Sequence, residues 1–189
     1  MDAATQYALA YALTTAAGVR ALLSLTAVAV AAHFHVLHPP ETFAWLGSNA
    51  AMWTLGVLAA VEMLADKVPL LDHVLHFLQV ALKPAAAAVV VGGSLHAPSH
   101  DALVTLMVLG ALNALGVHAA VATVRAASTV TTGGVANPAV STVEDAGAIG
   151  ALILSFVAPF VAAVLALLFT AALAALAVTA YHRFRAARA

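Results

Sequence analysis

The sequence predicts an all-α, polytopic membrane protein of about six transmembrane segments, some short or broken, and three observations predict it. Apolar residues make up 64% of the chain and charged residues only 8%, against about 25% charged in soluble domains. The mean hydropathy is +1.04. The apolar residues fall into runs at 5–32, 43–66, 84–97, 102–127, 143–158 and 159–181. A helix needs about 20 residues to cross the hydrocarbon, so a 189-residue chain allows about six or seven spans and no separate soluble domain. Residues 1–189 therefore read as a single integral membrane domain.

The first run ends at the break His33-Phe34-His35-Val36-Leu37-His38-Pro39-Pro40-Glu41, and Arg20 falls inside the helix expected before it. Segment 70–82 alternates at helical spacing, with Asp72, His73, His76 and Gln79 against Leu70, Leu71, Val74, Leu75, Phe77 and Leu78. That is an amphipathic helix, lying at the interface or lining a cavity. The run 84–97 is too short to cross alone. It either joins 70–82 as one span kinked at Pro84 or stands as a half-helix after an interfacial one. Ser99 is placed to cap the next helix. The stretch 128–137 reads as a polar, Gly-rich loop, with Asn137 as N-cap and Pro138 in the first helical position. Ser141 and Glu144 offer an alternative capping box one turn later. Pro159 divides the last apolar stretch. Three helices before residue 98 and three after it suggest a 3+3 inverted repeat, with halves 1–98 and 99–189.

Several function classes are excluded. With no cysteine there are no disulfides, thiolate metal sites or cysteine nucleophiles. A net charge of −1 with seven Lys and Arg argues against nucleic acid as a partner. The chain opens on Asp2 without a basic segment, so no cleavable signal peptide is expected. With six crossings, Lys67, Lys83, Arg125, Arg183, Arg185 and Arg188 fall on one side, which places both termini in the cytoplasm.

The informative feature is a pair of acidic clusters in a chain that is otherwise mostly hydrocarbon. One is Glu62-Met63-Leu64-Ala65-Asp66-Lys67-Val68-Pro69 with Asp72; the other ends in Ser141-Thr142-Val143-Glu144-Asp145. An acid near the bilayer centre costs roughly 2.5–3.5 kcal/mol on insertion scales, so it is kept with a counter-charge, a proton or a cation. Glu62 and Asp66, four residues apart, share a helix face and repel. A base, a raised pKa or a bound cation relieves that repulsion. The two clusters are expected to meet, with Arg20 and Arg125 as first partners. Residues 20–145 hold seven acids against four bases, and without Glu41 and Asp101 in outer loops the balance is five to four. Glu62, deepest from the cytoplasmic edge, is the acid expected to titrate or to bind a cation.

The expected ion- or proton-binding residues are therefore Glu62, Asp66, Asp72, Glu144 and Asp145. Their supporting partners are Arg20, Lys67, Lys83, His118, Arg125, Asn137 and Ser141. His73 and His76, at i, i+3, form a candidate metal pair, although two polar His on an interfacial helix are also explained by hydration. His118 shares a face with Gly110, Ala114 and Ala122, where small residues let helices approach. It serves packing there, or relays protons beside the acids.

Gly134-Val135-Ala136-Asn137-Pro138-Ala139-Val140-Ser141 resembles the aquaporin signature. A water channel needs two copies, and Lys83-Pro84-Ala85 lacks the Asn, so the likeness reads as shared N-cap chemistry. Glu62-x-x-x-Asp66-Lys67 is loosely similar to the Glu-x-Gly-Asp-Lys motif of cation/proton exchangers. Over nearly the whole chain, a broader set of motifs resembles a bacterial family of small integral membrane proteins known only as a domain of unknown function, DUF4126. The set comprises Gly18-Val19-Arg20, Glu62-x-x-x-Asp66-Lys67-x-Pro69, Lys83-Pro84, His118 with Arg125, and Thr132-Gly133…Asn137-Pro138-x-x-Ser141-x-x-Glu144-Asp145. The chain departs from the family pattern at His76, where an acid is implied, and at Lys83, where Arg is implied. The resemblance implies a fold and a bacterial inner-membrane location, and no activity.

The resulting expectation is a small transporter or channel for a cation or proton. The alternative is a structural or interaction protein whose charges form a locked ion-pair network. The first requires the acids to face a shared polar cavity; the second requires each acid to be paired with Arg or Lys. No Ser-His-Asp ordering, phosphatase-like signature or zinc helix motif supports an enzyme, and no cofactor is expected. The expected partners are the lipid bilayer, a small cation or proton, and a second copy of the chain if the protein is a homo-oligomer.

Overall fold

A computed structural model describes residues 1–67 and 69–186, with side chains for all of these except 69–77, 177 and 180–186. The described residues are helical, without strands. The seven α-helices are α1 (Ala3–Val19), α2 (Ala21–His33), α3 (Asn49–Ala65), α4 (Pro69–Ser94), α5 (His100–Thr132), α6 (Asn137–Val157) and α7 (Pro159–Ala186). A 3₁₀ helix, Glu41–Gly47, precedes α3.

Among the described residues, three helices are long and apolar enough to cross a membrane: α5, α6 and Pro159–Leu176 of α7. The 3₁₀ helix and α3 make a fourth if taken as one span, bent by 66°. Ala21–His33 and Leu78–Ser94 are shorter apolar helices. Residues 69–94 form one helix with Pro84 inside it, so the two segments expected on either side of that proline are continuous.

α1 is the centre of the packing. Leu9, Ala10 and Ala12 through Gly18 are all buried, and α4, α5, α6 and α7 surround it. The α1–α5 crossing is tight: a Cβ on Gly18 would lie 2.6 Å from Val117 Cβ and 2.7 Å from the Ala114 carbonyl oxygen. Gly110 of α5 likewise meets Val91 and Thr14. This is the small-residue face expected around His118, and it explains how helices of this chain come close without a hydrophobic driving force between them. Asn113 Nδ2 donates to the hydroxyls of Thr14 (3.1 Å) and Thr15 (2.9 Å), joining the same two helices by polar bonds.

Three local expectations are corrected. The first is the uninterrupted helix through Arg20: Arg20 is extended (φ −133°, ψ 99°) and separates α1 from α2. The second is the 128–137 loop. Thr129, Thr131 and Thr132 donate to carbonyls of their own helix, so their polarity is satisfied internally. α5 stops only at Gly133, whose φ of 63° is a left-handed C-cap. The third is the cap of α6. Ala136 is the N-cap and Asn137 already helical, while Ser141 lies inside α6. Ser99 does cap α5 as expected, accepting from the Ala102 amide at 3.2 Å, and the break at Ala158 before Pro159 divides α6 from α7.

Candidate functional site: a buried charge cluster at the α1–α2 break

The break at Arg20 does two things at once. It turns the Arg20 side chain into the interior, where the whole residue is inaccessible, and it opens the N-terminus of α2. The first amides of a helix have no partner within it and carry partial positive charge. Glu62, 3% exposed on α3, fills that position: its two oxygens accept from the amides of Ala21 (3.3 Å) and Leu22 (3.1 Å). Glu62 forms no ion pair among the described residues. The acid expected to be in surplus is thus held by backbone dipoles.

The other acids are held by bases. Arg20 Nη1 donates to Asp66 Oδ2, and Nη2 donates to the Ser141 hydroxyl at 3.0 Å and carbonyl at 3.3 Å. Arg20 Nε lies 2.7 Å from Asp145 Oδ1. That contact lacks hydrogen-bond geometry, since both atoms are otherwise unpartnered, so charge holds it. Glu144 Oε2 stands 3.6 Å from Arg20 Nη2. Arg125 completes the cluster: Nε donates to both oxygens of Glu144 at 3.0 and 3.1 Å, and Nη2 to Asp66 Oδ2 at 3.0 Å and to Glu144 Oε2. Lys67 Nζ donates to Asp145 Oδ2 at 2.5 Å and to the Met63 carbonyl at 3.0 Å. Three acids, Asp66, Glu144 and Asp145, therefore meet three bases, Arg20, Lys67 and Arg125. Such a cluster is tolerated because every charge has a partner.

The two acidic segments are joined through shared arginines, although they lie 78 residues apart between Lys67 and Asp145. Ser141 belongs to the cluster as an acceptor. Asn137 does not: its Nδ2 donates to Thr129 at 2.9 Å in the α5–α6 hairpin. Lys83, expected to neutralise an acid, instead places Nζ 3.0 Å from His118 Nδ1. The side chains of Asp72, His73 and His76 lie outside the described residues. Among the described residues, no three His, Asp or Glu side chains are grouped to hold a metal ion.

Gln79 was not among the expected partners, yet it is 5% exposed and donates from Nε2 to Asp66 Oδ1 at 3.4 Å. The sequence carried a signal for it. Positions 72, 76, 79 and 83 form one polar stripe at helical spacing, and two of its members, Gln79 and Lys83, are seen to point into the interior.

A cleft of about 540 Å³ lies between α1, α5, α6 and α7. Its walls are Ala12, Ala16, Val121, Leu154 and Phe169 among other apolar residues, and among the described residues Glu144 is the one charged residue lining it. The cleft is thus apolar where a shared polar cavity was expected. Glu62, Asp66 and Asp145 do not line it.

The family described as a domain of unknown function, DUF4126, matches residues 7–179. Neither a curated protein nor a solved structure matches the chain.

Proposed function

We propose that this chain, which belongs to the DUF4126 family, is a small transporter or channel that moves a proton or cation across the membrane. The observation that carries this reading is Glu62. It is a buried acid with no base bound to it among the described residues, held at the N-terminus of an interrupted helix. Interrupted helices whose free ends face ions are how membrane transporters build binding sites from backbone groups. A carboxylate at such a site changes its hydrogen bonding when it gains a proton or a cation. The proton fits better, since the oxygens of Asp66, Glu144 and Asp145 are engaged by Arg20, Lys67 and Arg125. Those three pairs would be the frame that fixes the break.

A second reading is favoured by the same pairs. Three acids matched to three bases are what a structural membrane protein needs to lock its helices, and nothing need be transported. Flux in reconstituted proteoliposomes separates the two. Wild type should pass H⁺ or one of Na⁺, Mg²⁺, Ca²⁺, Mn²⁺ and Zn²⁺, and Glu62→Gln should reduce that flux to the level of empty vesicles while the protein stays folded. Wild-type flux at the empty-vesicle level for every ion, or flux unchanged in Glu62→Gln, would leave the structural reading standing.

Location follows the same line. We infer a bacterial cytoplasmic membrane with both termini inside, supported by the tail arginines 183, 185 and 188 and by the half-exposed Lys67. Lys83 and Arg125 are engaged inside the helix bundle and do not count as loop charges. A C-terminal reporter active only on the outer side would reverse the orientation.

A further inference from the structure

Lys83 is 2% exposed and His118 is 4% exposed, and their facing nitrogens are 3.0 Å apart. Among the described residues, His118 Nδ1 is the one hydrogen-bond partner of the Lys83 ammonium. A buried lysine normally sits against a carboxylate, because an unpaired ammonium loses its hydration with nothing in return. Here the partner is itself a base.

We infer that Lys83 and His118 form a proton-binding site in which two basic nitrogens hold a single proton between α4 and α5. An N–H···N hydrogen bond needs one donor and one lone pair. If Lys83 is the ammonium, Nδ1 of His118 must be bare; if Nδ1 carries the hydrogen, Lys83 must be the free amine. Either way, one proton lies on the line between the two atoms. A second proton would set two cations side by side in a low-dielectric interior and break this bond between the helices. Losing the charge does not break the contact, because a neutral amine and a neutral imidazole still offer one N–H and one lone pair between them. The contact therefore tolerates one positive charge and not two, and gain of a second proton breaks the Lys83–His118 bond between α4 and α5.

The charged groups acting on Lys83 from neighbouring elements are Glu62 on α3, Arg20 at the α1–α2 break, Arg125 on α5 and Glu144 on α6. Asp66 acts on Glu62 in turn. Two of the four are acids and two are bases. Asp72, His73 and His76 belong to α4 itself. The site does not require that an ion crosses the membrane, and its test does not use flux.

The chain has two lysines, Lys67 and Lys83, so ¹⁵N-lysine labelling gives two side-chain signals. Adding ¹⁵N-histidine, with His118→Gln to assign its ring by loss of signal, allows solid-state NMR of the protein in lipid near pH 7. The expected result is a through-space correlation from Lys83 Nζ to His118 Nδ1, with one proton on the two nitrogens. In Lys83→Met, the Nδ1 resonance should move away from its wild-type position while the Lys67 signal, fixed by Asp145, stays in place. A doubly protonated His118 beside an ammonium, no correlation at all in wild type, or a ring signal unmoved in Lys83→Met would each overturn the assignment. If Lys83→Met fails to fold, the wild-type correlation and proton count decide alone.

Discussion

Arg20 and Arg125 converge on the same oxygen, Oδ2 of Asp66, although they lie far apart in the sequence. One comes from the α1–α2 break and the other from the C-terminal third of α5. Between them they also reach Glu144 and Asp145 on α6. The carboxylate of Asp66 is the point through which three separate parts of the chain are tied. Breaking the cluster from one side leaves the other side charged and buried.

Arg20→Met should therefore be severe. Removing one partner of a buried charge pair typically costs about 3–5 kcal/mol, because the remaining charge loses its compensation. Lys67→Ala is the control: its side chain is 35% exposed, and Asp145 keeps Arg20. Its cost should be about 1 kcal/mol or less. Denaturation of both variants in the same detergent checks the ordering, and equal losses would mean that the cluster is not what holds the helices.

Gly18→Ala should destabilise the α1–α5 crossing. The new Cβ meets the Val117 side chain and a backbone carbonyl that cannot move out of its way, and overpacking of this kind costs about 1–3 kcal/mol. Gly147→Ala, with nothing within 4 Å of the added Cβ, should be neutral or raise stability through helix propensity, by up to about 1 kcal/mol. Thermal melts of the two alanine variants should move in opposite directions or differ by that margin.

The first turn of α1 should be sensitive to acid. Asp2 accepts from the Thr5 amide at 3.0 Å and from its hydroxyl at 2.7 Å, and these bonds hold its carboxyl below the ordinary aspartate range. A depressed native value means that the cap is fully stabilising above the unfolded pKa of about 3.9 and is lost as pH falls through the lower native one. Hydrogen exchange at the Thr5 amide, corrected for intrinsic rates, should lose protection in that acid window. In Asp2→Ala the amide should be unprotected on both sides of it.

Much of the site was legible because a nearly charge-free chain makes each charge conspicuous. Glu62, Asp66, Glu144 and Asp145 could be singled out before any fold was known, and so could Arg20 and Arg125 as their partners, because buried acids must be compensated. Which acid goes with which base was not legible. Lys83 was expected among the acids and faces His118, since its direction depends on how α4 meets α5. Asn137 was expected in the site and serves the α5–α6 hairpin, because the Thr-rich end of α5 stays helical by bonding to itself.

Composition alone determined that the chain is helical and apolar enough to cross a membrane, and hydrophobic run length set some of the element boundaries, such as the end of α3 and the α6–α7 division. The break at Arg20 is what only the tertiary structure decided. Residues Ala16-Ala17-Gly18-Val19-Arg20-Ala21-Leu22 contain no proline, and their local preferences would carry a helix straight through. The helix stops because two contacts made by distant residues outweigh one turn of backbone bonding. Arg20 reaches Asp66 and the α6 acids, and Glu62 supplies the acceptors that the interrupted amides of Ala21 and Leu22 require.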